Sequence, residues 1–400
     1  GDFAFADCMS LKDVVLPTSL RSIGMGAFLN CESFTSVNIP ENVTTIGGNA
    51  FQNCTSLSSI KWDAINCSTY KDENGSIYLP FNFTDGAESN VEQVLFGDKV
   101  EYIPVGLCNM MNKLTSVVLP ETVKIIDDYA FASTRLQSMV VPNSVTKLGM
   151  SAFWGCEELK QITIGECVEE IGDYAFSRCS NLESVVIPNS VMSLGDEAFW
   201  SCTNLKSAVI GKGVTRIGNY TFSRCENLTS VTLGESVATL GDEVFWSCSS
   251  LPSITLPAAL QEMGNWCFEN CTSLRHVYAS PLVPPTISSS TFTDAVTSVA
   301  TLHTAKGYSD LYAQTLYWKD FSSIVGDFSG VKNVETDDWK LTIADGTLTI
   351  SGIVDDAIVN IYSMSGTLLY STTAGNLSTI TLQHGVYLVQ TNGTSRKVAI

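Results

Sequence analysis

Apolar residues recur along the first two thirds of the chain with a period of about 23 residues. Phenylalanine marks this period most clearly, at Phe5, Phe28, Phe51, Phe131, Phe153, Phe176, Phe199, Phe222, Phe245 and Phe268. Most of these phenylalanines are followed three residues later by a cysteine, which therefore keeps the same spacing. A single unit of this length cannot bury its own apolar face. The repetition therefore predicts a solenoid, in which each unit packs on its neighbours to form one continuous core.

One well-preserved unit shows which elements the repeat predicts. Val185 and Ile187 lie two residues apart, as the inward-facing side chains of a short strand do. Pro188 ends that strand because it has no N–H group to donate to a ladder. A second short extended piece follows, and Gly195 is expected to allow a tight corner. The next segment, residues 196–202, has a length that suits a single helical turn.

The motif Ala-Phe-x-x-Cys-x-x-Leu, followed in phase by Ile-Gly, recurs through residues 1–326. In this motif the repeat resembles BspA-like leucine-rich repeats, which occur in surface and secreted proteins of host-associated bacteria. The resemblance implies an α/β leucine-rich-repeat solenoid of 23-residue units, with short parallel strands and single helical turns. It also implies a C-terminal cap near residues 302–325, whose Leu311, Leu316 and Phe321 would face the array.

An insertion interrupts the repeat near residues 63–90, and the register returns unchanged after it. The insertion contains four aromatic residues that are candidate binding residues, Tyr70, Tyr78, Phe81 and Phe83. Insertions in repeat arrays form surface loops, and such loops often bind ligands. The alternative is a tolerated insertion that packs on its own aromatic side chains.

A different pattern follows the repeats. Residues 327–338 have the character of a linker, and residues 339–400 show short alternating runs separated by turn pairs. These runs predict a small antiparallel β-sandwich. The stretch from Val359 to Gly366 is similar to C-terminal sorting domains of the type IX secretion system, which implies export and retention at the cell surface. The alternative is a sandwich without a sorting role. Because the chain begins inside a repeat, any export signal and N-terminal cap are expected to precede it.

Composition narrows the possible functions. The chain has 41 Asp+Glu against 22 Lys+Arg, a formal net charge of −19, which repels nucleic acids and anionic membranes. No apolar run reaches the roughly 18–20 residues that span a bilayer. Histidines are few, and zinc, nucleotide-binding and hydrolase motifs are absent, so we expect no metal, no cofactor and no catalysis. The cysteines at the repeat spacing are expected to stack inside as reduced, structural side chains.

A second period, of 46 residues, adds candidate binding residues on the expected helical side. Trp154, Trp200 and Trp246 follow the repeat phenylalanine in every second unit, and Arg178 and Arg224 occupy that region in the units between. One interpretation is stacking of guanidinium groups on indole rings between neighbouring units. The other is an aromatic stripe that holds sugar rings or a protein partner.

The outward positions on the strand side are small and almost uncharged. They are Ser184, Val186, Ser207, Val209, Ser230, Thr232, Ser253 and Thr255. Such a surface lacks strong anchors for a tight protein site, although an extended partner could lie along it.

The sequence therefore predicts a non-catalytic recognition or adhesion protein, extracellular or on a bacterial cell surface, and monomeric. Its partner would be a host matrix protein, a glycan or another cell, bound through the solenoid surface. One alternative is a carbohydrate-binding accessory module that uses the tryptophans. The other is a structural spacer that binds nothing.

Overall fold

A computed structural model describes residues 1–69, 78–82 and 88–328, and between residues 340 and 399 it describes the backbone of the strands. Up to Phe328 the described chain forms stacked coils, and most coils contain two strands and a run of turns. The predicted solenoid is therefore confirmed.

The first strand of each coil contributes to a surface that we call the wide face. Neighbouring strands pair in parallel, so that Ser184 lies beside Ser207 and Ile187 beside Ile210. Within each strand the residues alternate between the core and the surface. The strands of the wide face are Ser36–Ile39, Ser59–Trp62, Gln93–Phe96, Ser138–Val140, Gln161–Thr163, Ser184–Ile187, Ser207–Ile210, Ser230–Thr232, Ser253–Leu256, His276–Ala279, Thr301–Ala305 and Ser323–Phe328.

The second strand of each coil contributes to the narrow face, where each strand is two residues long. From Tyr102–Ile103 to Glu262–Met263 these strands form one parallel sheet of eight strands. The strands of the narrow face are Ser22–Ile23, Thr45–Ile46, Ser68–Thr69, Tyr102–Ile103, Ile125–Ile126, Lys147–Leu148, Glu170–Ile171, Ser193–Leu194, Arg216–Ile217, Thr239–Leu240 and Glu262–Met263.

The core contains a ladder of stacked phenylalanine rings. The ring centroids of Phe176 and Phe199 lie 5.2 Å apart, and those of Phe199 and Phe222 lie 5.4 Å apart. The ladder continues past Phe268, the last phenylalanine of the repeat found in the sequence, to Phe292. The ring centroids of these two residues lie 4.8 Å apart. Stacking at this distance adds to the free energy that burial of each ring already contributes.

The third side of the coils, which we call the turn face, is not helical, so the predicted single helical turns are wrong. Tyr174 and Arg178 have φ angles of 57° and 60°, in the left-handed region that an α-helix does not use. Alternate amides donate to the next coil rather than within a helix, as the Phe176 N–H does to the carbonyl of Ala198 at 2.8 Å. An i to i−4 ladder cannot form when every second donor is used in this way.

Gly195 has a different role from the tight corner expected of it. A Cβ atom at this position would lie 2.5 Å from the backbone nitrogen of Asp173 in the preceding coil. The repeat glycine is therefore required because two coils approach closely, and not because of its own backbone angles.

Beyond the last narrow-face strand, three short helices cover the end of the array: Asp294–Thr297, Ser309–Gln314 and the 3₁₀ turn Trp318–Asp320. Tyr312, Trp318 and Phe321 are buried, whereas Leu311 and Leu316 are exposed. The expectation that both leucines face the array is therefore wrong. The Tyr312 hydroxyl donates to the carbonyl of Pro281 at 2.8 Å, so the short helix turns Tyr312 and not Leu311 to the array, and Leu316 lies beyond the end of that helix.

The strand Ser323–Phe328 extends two residues past the expected linker boundary. The rest of that linker lies outside the described residues. Beyond it the strands are Lys340–Ala344, Thr347–Ser351, Ile358–Ser363, Leu368–Thr373, Ile380–Thr381, Val386–Thr391 and Thr394–Ala399. They pair antiparallel in one three-stranded and one four-stranded sheet. The packing of these sheets into a sandwich, and its sorting role, stay predictions.

Candidate functional site

The wide face exposes aliphatic side chains at equivalent positions of three successive coils, and we call these the aliphatic patch. Its members are Leu95, Val118 and Val140, which are 48%, 84% and 62% exposed. Val118 is the most exposed because its segment lies between two separate sheets and is not itself a strand. Single exposed aliphatic residues are common on protein surfaces, but an aligned set in successive coils is a feature of interaction surfaces.

Charged residues surround the patch but do not enter it. Lys61 occupies the equivalent position in the preceding coil, and its ammonium group pairs with Asp63 at 2.7 Å. The loops that follow the strands carry exposed carboxylates at Glu41, Asp98, Glu121 and Glu166. An apolar centre with a polar rim is the usual composition of a protein–protein interface.

The turn face holds the predicted tryptophans and arginines in one alternating column, which we call the Trp–Arg stack. The guanidinium carbon of Arg178 lies 5.5 Å from the ring centroid of Trp154 and 5.2 Å from that of Trp200. Arg224 lies 5.7 Å from the centroid of Trp200 and 5.1 Å from that of Trp246. Both faces of the Trp200 indole are therefore covered by guanidinium groups, and this leaves its edge for solvent contact.

A second alternating column lies in the same turns, and we did not predict it. Tyr174 and Tyr220 alternate with Glu197 and Glu243 in successive coils. A hydrogen bond between the Tyr174 hydroxyl and the Glu197 carboxylate raises the pKa of Tyr174, and Glu243 raises the pKa of Tyr220 in the same way. The two tyrosines are 46 residues apart, and so are the two glutamates, so the period that identified the tryptophans could also have identified this column.

The insertion places its aromatic residues in different environments. Phe81 is buried, and its ring lies 4.9 Å from that of Phe51, so it fills one step of the phenylalanine ladder. Its prediction as a residue of a surface binding loop is wrong, because the segment around it supplies the turns of one coil. Tyr78 is exposed. Tyr70 and Phe83 lie outside the described residues.

The repeat cysteines form a column of thiols inside the coils, with Cys8 exposed at the first coil. The Cys202 thiol donates to the carbonyl of Phe176 at 3.2 Å, and Cys179 makes the same contact to Phe153 at 3.3 Å. Burial raises the pKa of Cys202 to about 12. Because the thiolate is the reactive form, these thiols are poor nucleophiles.

Within residues 1–69, 78–82 and 88–328 and the described C-terminal strands, no three histidine, cysteine or carboxylate side chains converge in a way that could hold a metal ion. None of the helices in these segments is long and apolar enough to cross a membrane.

Parallel coils with a repeated leucine, phenylalanine and cysteine core define a leucine-rich-repeat solenoid. The family model described as the BspA type leucine rich repeat region matches residues 1–74, 86–206 and 193–319, in six copies. The chain therefore belongs to this family of repeat proteins. No curated protein matches it.

Several solved structures are similar to the chain. A leucine-rich cell surface protein from Faecalibacterium prausnitzii is 26% identical, with 67% of this chain and 86% of that one covered and a TM-score of 0.37. A leucine-rich repeat protein from Bacteroides ovatus is 22% identical, with 76% and 87% covered and a TM-score of 0.31. The pneumococcal vaccine antigen PcpA is 16% identical, with 77% and 85% covered and a TM-score of 0.35. All three TM-scores fall below 0.5, so the assignment rests on the family match.

Proposed function

We propose that the protein is a non-catalytic recognition protein, secreted or held at a bacterial cell surface, that binds an extracellular protein through its wide face. Membership of the BspA-type family supports a general role in protein binding or adhesion. Export through a C-terminal sorting domain within residues 339–400 is part of the same proposal.

The observation that carries the proposal is the aliphatic patch on a chain of net charge −19. Charged residues are frequent at the edges of this surface, yet the three positions of the patch, Leu95, Val118 and Val140, are all aliphatic. An apolar centre inside a charged rim favours contact with another protein. An extended array of coils also offers a long surface to a large partner.

Binding to sugars through the Trp–Arg stack is less favoured. A sugar ring binds an indole by lying on its face, and guanidinium groups cover both faces of Trp200. The same contacts explain why tryptophan and arginine alternate in the sequence without invoking a ligand.

The test is a binding screen of the purified chain against individual extracellular-matrix proteins and a glycan array. For any protein that binds, we expect the Val118→Asp and Val140→Asp variants to weaken binding by about tenfold or more, because each buries a carboxylate at an apolar contact. The matched control is Met192→Asp, since Met192 is 62% exposed, as Val140 is, but lies beside the narrow face.

Three outcomes would contradict the proposal. Binding that Met192→Asp weakens as much as Val118→Asp would place the contact elsewhere. Glycan binding that Trp200→Ala abolishes would favour the carbohydrate-binding module. A chain that binds none of the proteins and none of the glycans would favour the spacer.

A further inference from the structure

Two histidines are in contact on the last strands of the wide face. His276 belongs to the strand His276–Ala279 and His303 to the neighbouring strand Thr301–Ala305. The Nδ1 atom of His276 lies 3.0 Å from the Nε2 atom of His303. The Nδ1 atom of His303 lies 2.9 Å from Oδ1 of Asp327, which belongs to the next strand. We call His276 and His303 the histidine pair.

The carboxylate of Asp327 determines where the protons lie when both imidazoles are neutral. A carboxylate only accepts hydrogen bonds, so His303 donates its Nδ1–H to Asp327, and its Nε2 atom is an acceptor. His276 therefore donates its own Nδ1–H to that Nε2 atom. Each of the two contacts in the row then contains one hydrogen atom.

The row can take up one proton without losing a contact. A protonated His303 donates from both nitrogens, to Asp327 and to His276, when His276 accepts at Nδ1 and carries its own proton on Nε2. Both hydrogen bonds then involve a cation, which makes them stronger than bonds between neutral groups. A second proton breaks the contact between the rings, because every nitrogen of two cationic imidazoles is a donor and the two positive charges repel each other.

His276 is the ring that leaves when both are protonated. His276 is exposed, whereas the side chain of His303 is only 13% exposed. The ring of Tyr278 stacks on His303 with centroids 4.5 Å apart, but the centroid of His276 lies 6.1 Å from that of Tyr278. A cationic His303 also bonds the carboxylate of Asp327 more strongly than a neutral one does.

Other ionisable groups near the pair leave this balance unchanged. The strand on the other side of His276, Ser253–Leu256, carries no ionisable side chain. The guanidinium group of Arg275 donates to carbonyls of its own turn. The elements that pack here also carry two tyrosines, and tyrosine is neutral between pH 5 and 8. These tyrosines and the two exposed ions beside them are Tyr278, Tyr312, Lys306 and Asp310.

We propose that the histidine pair is a pH-sensitive latch, in which His276 docks on His303 while at most one ring is protonated and swings into solvent when both are. Histidine is the side chain that normally changes its charge between pH 5 and 8. In acid the end of the wide face therefore gains up to two positive charges, on a chain whose formal net charge is −19. The latch is separate from the aliphatic patch, and its test does not depend on the proposed function.

The experiment is an NMR titration, from pH 8 to pH 4.5, of the full chain labelled with ¹⁵N in its histidines. The chain has three histidines, so each signal is assigned from a variant that lacks it, and His384 supplies a reference titration. At pH 8 we expect both rings of the pair to carry their proton on Nδ1. The pair should then take up two protons in steps more than about one pH unit apart, because the charges repel. In His276→Gln, His303 should titrate in a single step.

Contacts between the rings provide the second measurement. A nuclear Overhauser effect between the rings of His276 and His303 should be present at pH 7.5 and lost below pH 5. The effect between His303 and Tyr278 should remain at both pH values, and it is the control for intact coils. Asp327 is a positioning residue. Asp327→Asn keeps an acceptor but removes the charge, so the first proton should be taken up about 0.5–1 pH unit lower.

Three results would overturn the proposal. One is a contact between the two histidine rings that persists when both are protonated. Another is a pair of independent single-step titrations that coincide with that of His384. The third is loss of the His303–Tyr278 effect together with the His276–His303 effect, since the whole end of the array would then open and not one ring.

Discussion

The turn face and the wide face differ in whether their most prominent side chains contact each other or remain exposed to solvent. On the turn face, Arg178 and Trp200 contact each other, and tyrosines bond glutamates in neighbouring coils. On the wide face, Val118 and Val140 remain largely exposed. The comparison teaches that a surface rich in tryptophan, tyrosine and arginine, which often anchor ligands, can instead use these side chains to hold neighbouring coils together. Substitutions on the turn face should therefore change stability, and substitutions on the wide face should change binding.

The largest expected effect comes from four buried thiols, three of which lie beneath the turn face. Burial raises the pKa of Cys54, Cys67, Cys202 and Cys271 from 9.0 to about 12. Their contribution to stability is complete below pH 9 and is lost as the pH rises towards 12, because only the unfolded chain releases these protons. Because of these four thiols together, the free energy of unfolding should be lower at pH 10 than below pH 9 by roughly 6 kcal/mol.

Urea denaturation at pH 8 and pH 10, under reducing conditions, measures this loss. The Cys202→Ala variant is the control, since removing one of the four thiols should reduce their combined loss between the two pH values by about a quarter. An unfolding free energy that is the same at both pH values would show that the thiols are not held in the protonated form.

The next effect tests the core that both surfaces share. Phe199 is fully buried between the rings of Phe176 and Phe222. Phe199→Ala should lower the free energy of unfolding by about 3–5 kcal/mol. Phe199→Leu fills more of the space and should lose less. By contrast, Val118→Asp on the wide face should change stability by no more than about 0.5 kcal/mol.

Chemical denaturation of all three variants sharpens the comparison. If Val118→Asp destabilised the chain as much as Phe199→Ala, Val118 would be part of the core, and its loss of binding would no longer report on an interface.

The ladder was predictable from the sequence where the environment repeats without change. Phe199 occupies the same surroundings as Phe176, so a fixed spacing is enough to identify both. Phe81 was not predictable in this way, because its place in the ladder depends on where the chain returns after an insertion. The left-handed angles of Tyr174 were also hidden, since neither tyrosine nor arginine marks such a position as glycine does.

The candidate sites also differ in how far the repeat period identifies them. The 46-residue period identified the Trp–Arg stack, but which ring faces remain open depends on side-chain positions that a period does not contain. His276 and His303, whose imidazole rings are in contact, lie 27 positions apart in the sequence, a separation outside the 23-residue register of the repeat. The structure brings them together because the last coils depart from that register.

The smallest expected effect decides between cohesion and binding on the turn face. Arg178 is exposed, so its contacts with Trp154 and Trp200 should each contribute about 0.5–1 kcal/mol to the free energy of unfolding. A double-mutant cycle of Arg178→Ala and Trp200→Ala, measured by urea denaturation, should give a coupling energy of that size. Arg178→Lys keeps the charge but not the planar group, so it should recover only part of the loss. None of these variants should weaken the binding of a protein whose binding Val118→Asp weakens. A coupling energy of zero, together with lost binding, would make the stack a ligand anchor and reverse the roles of the two faces.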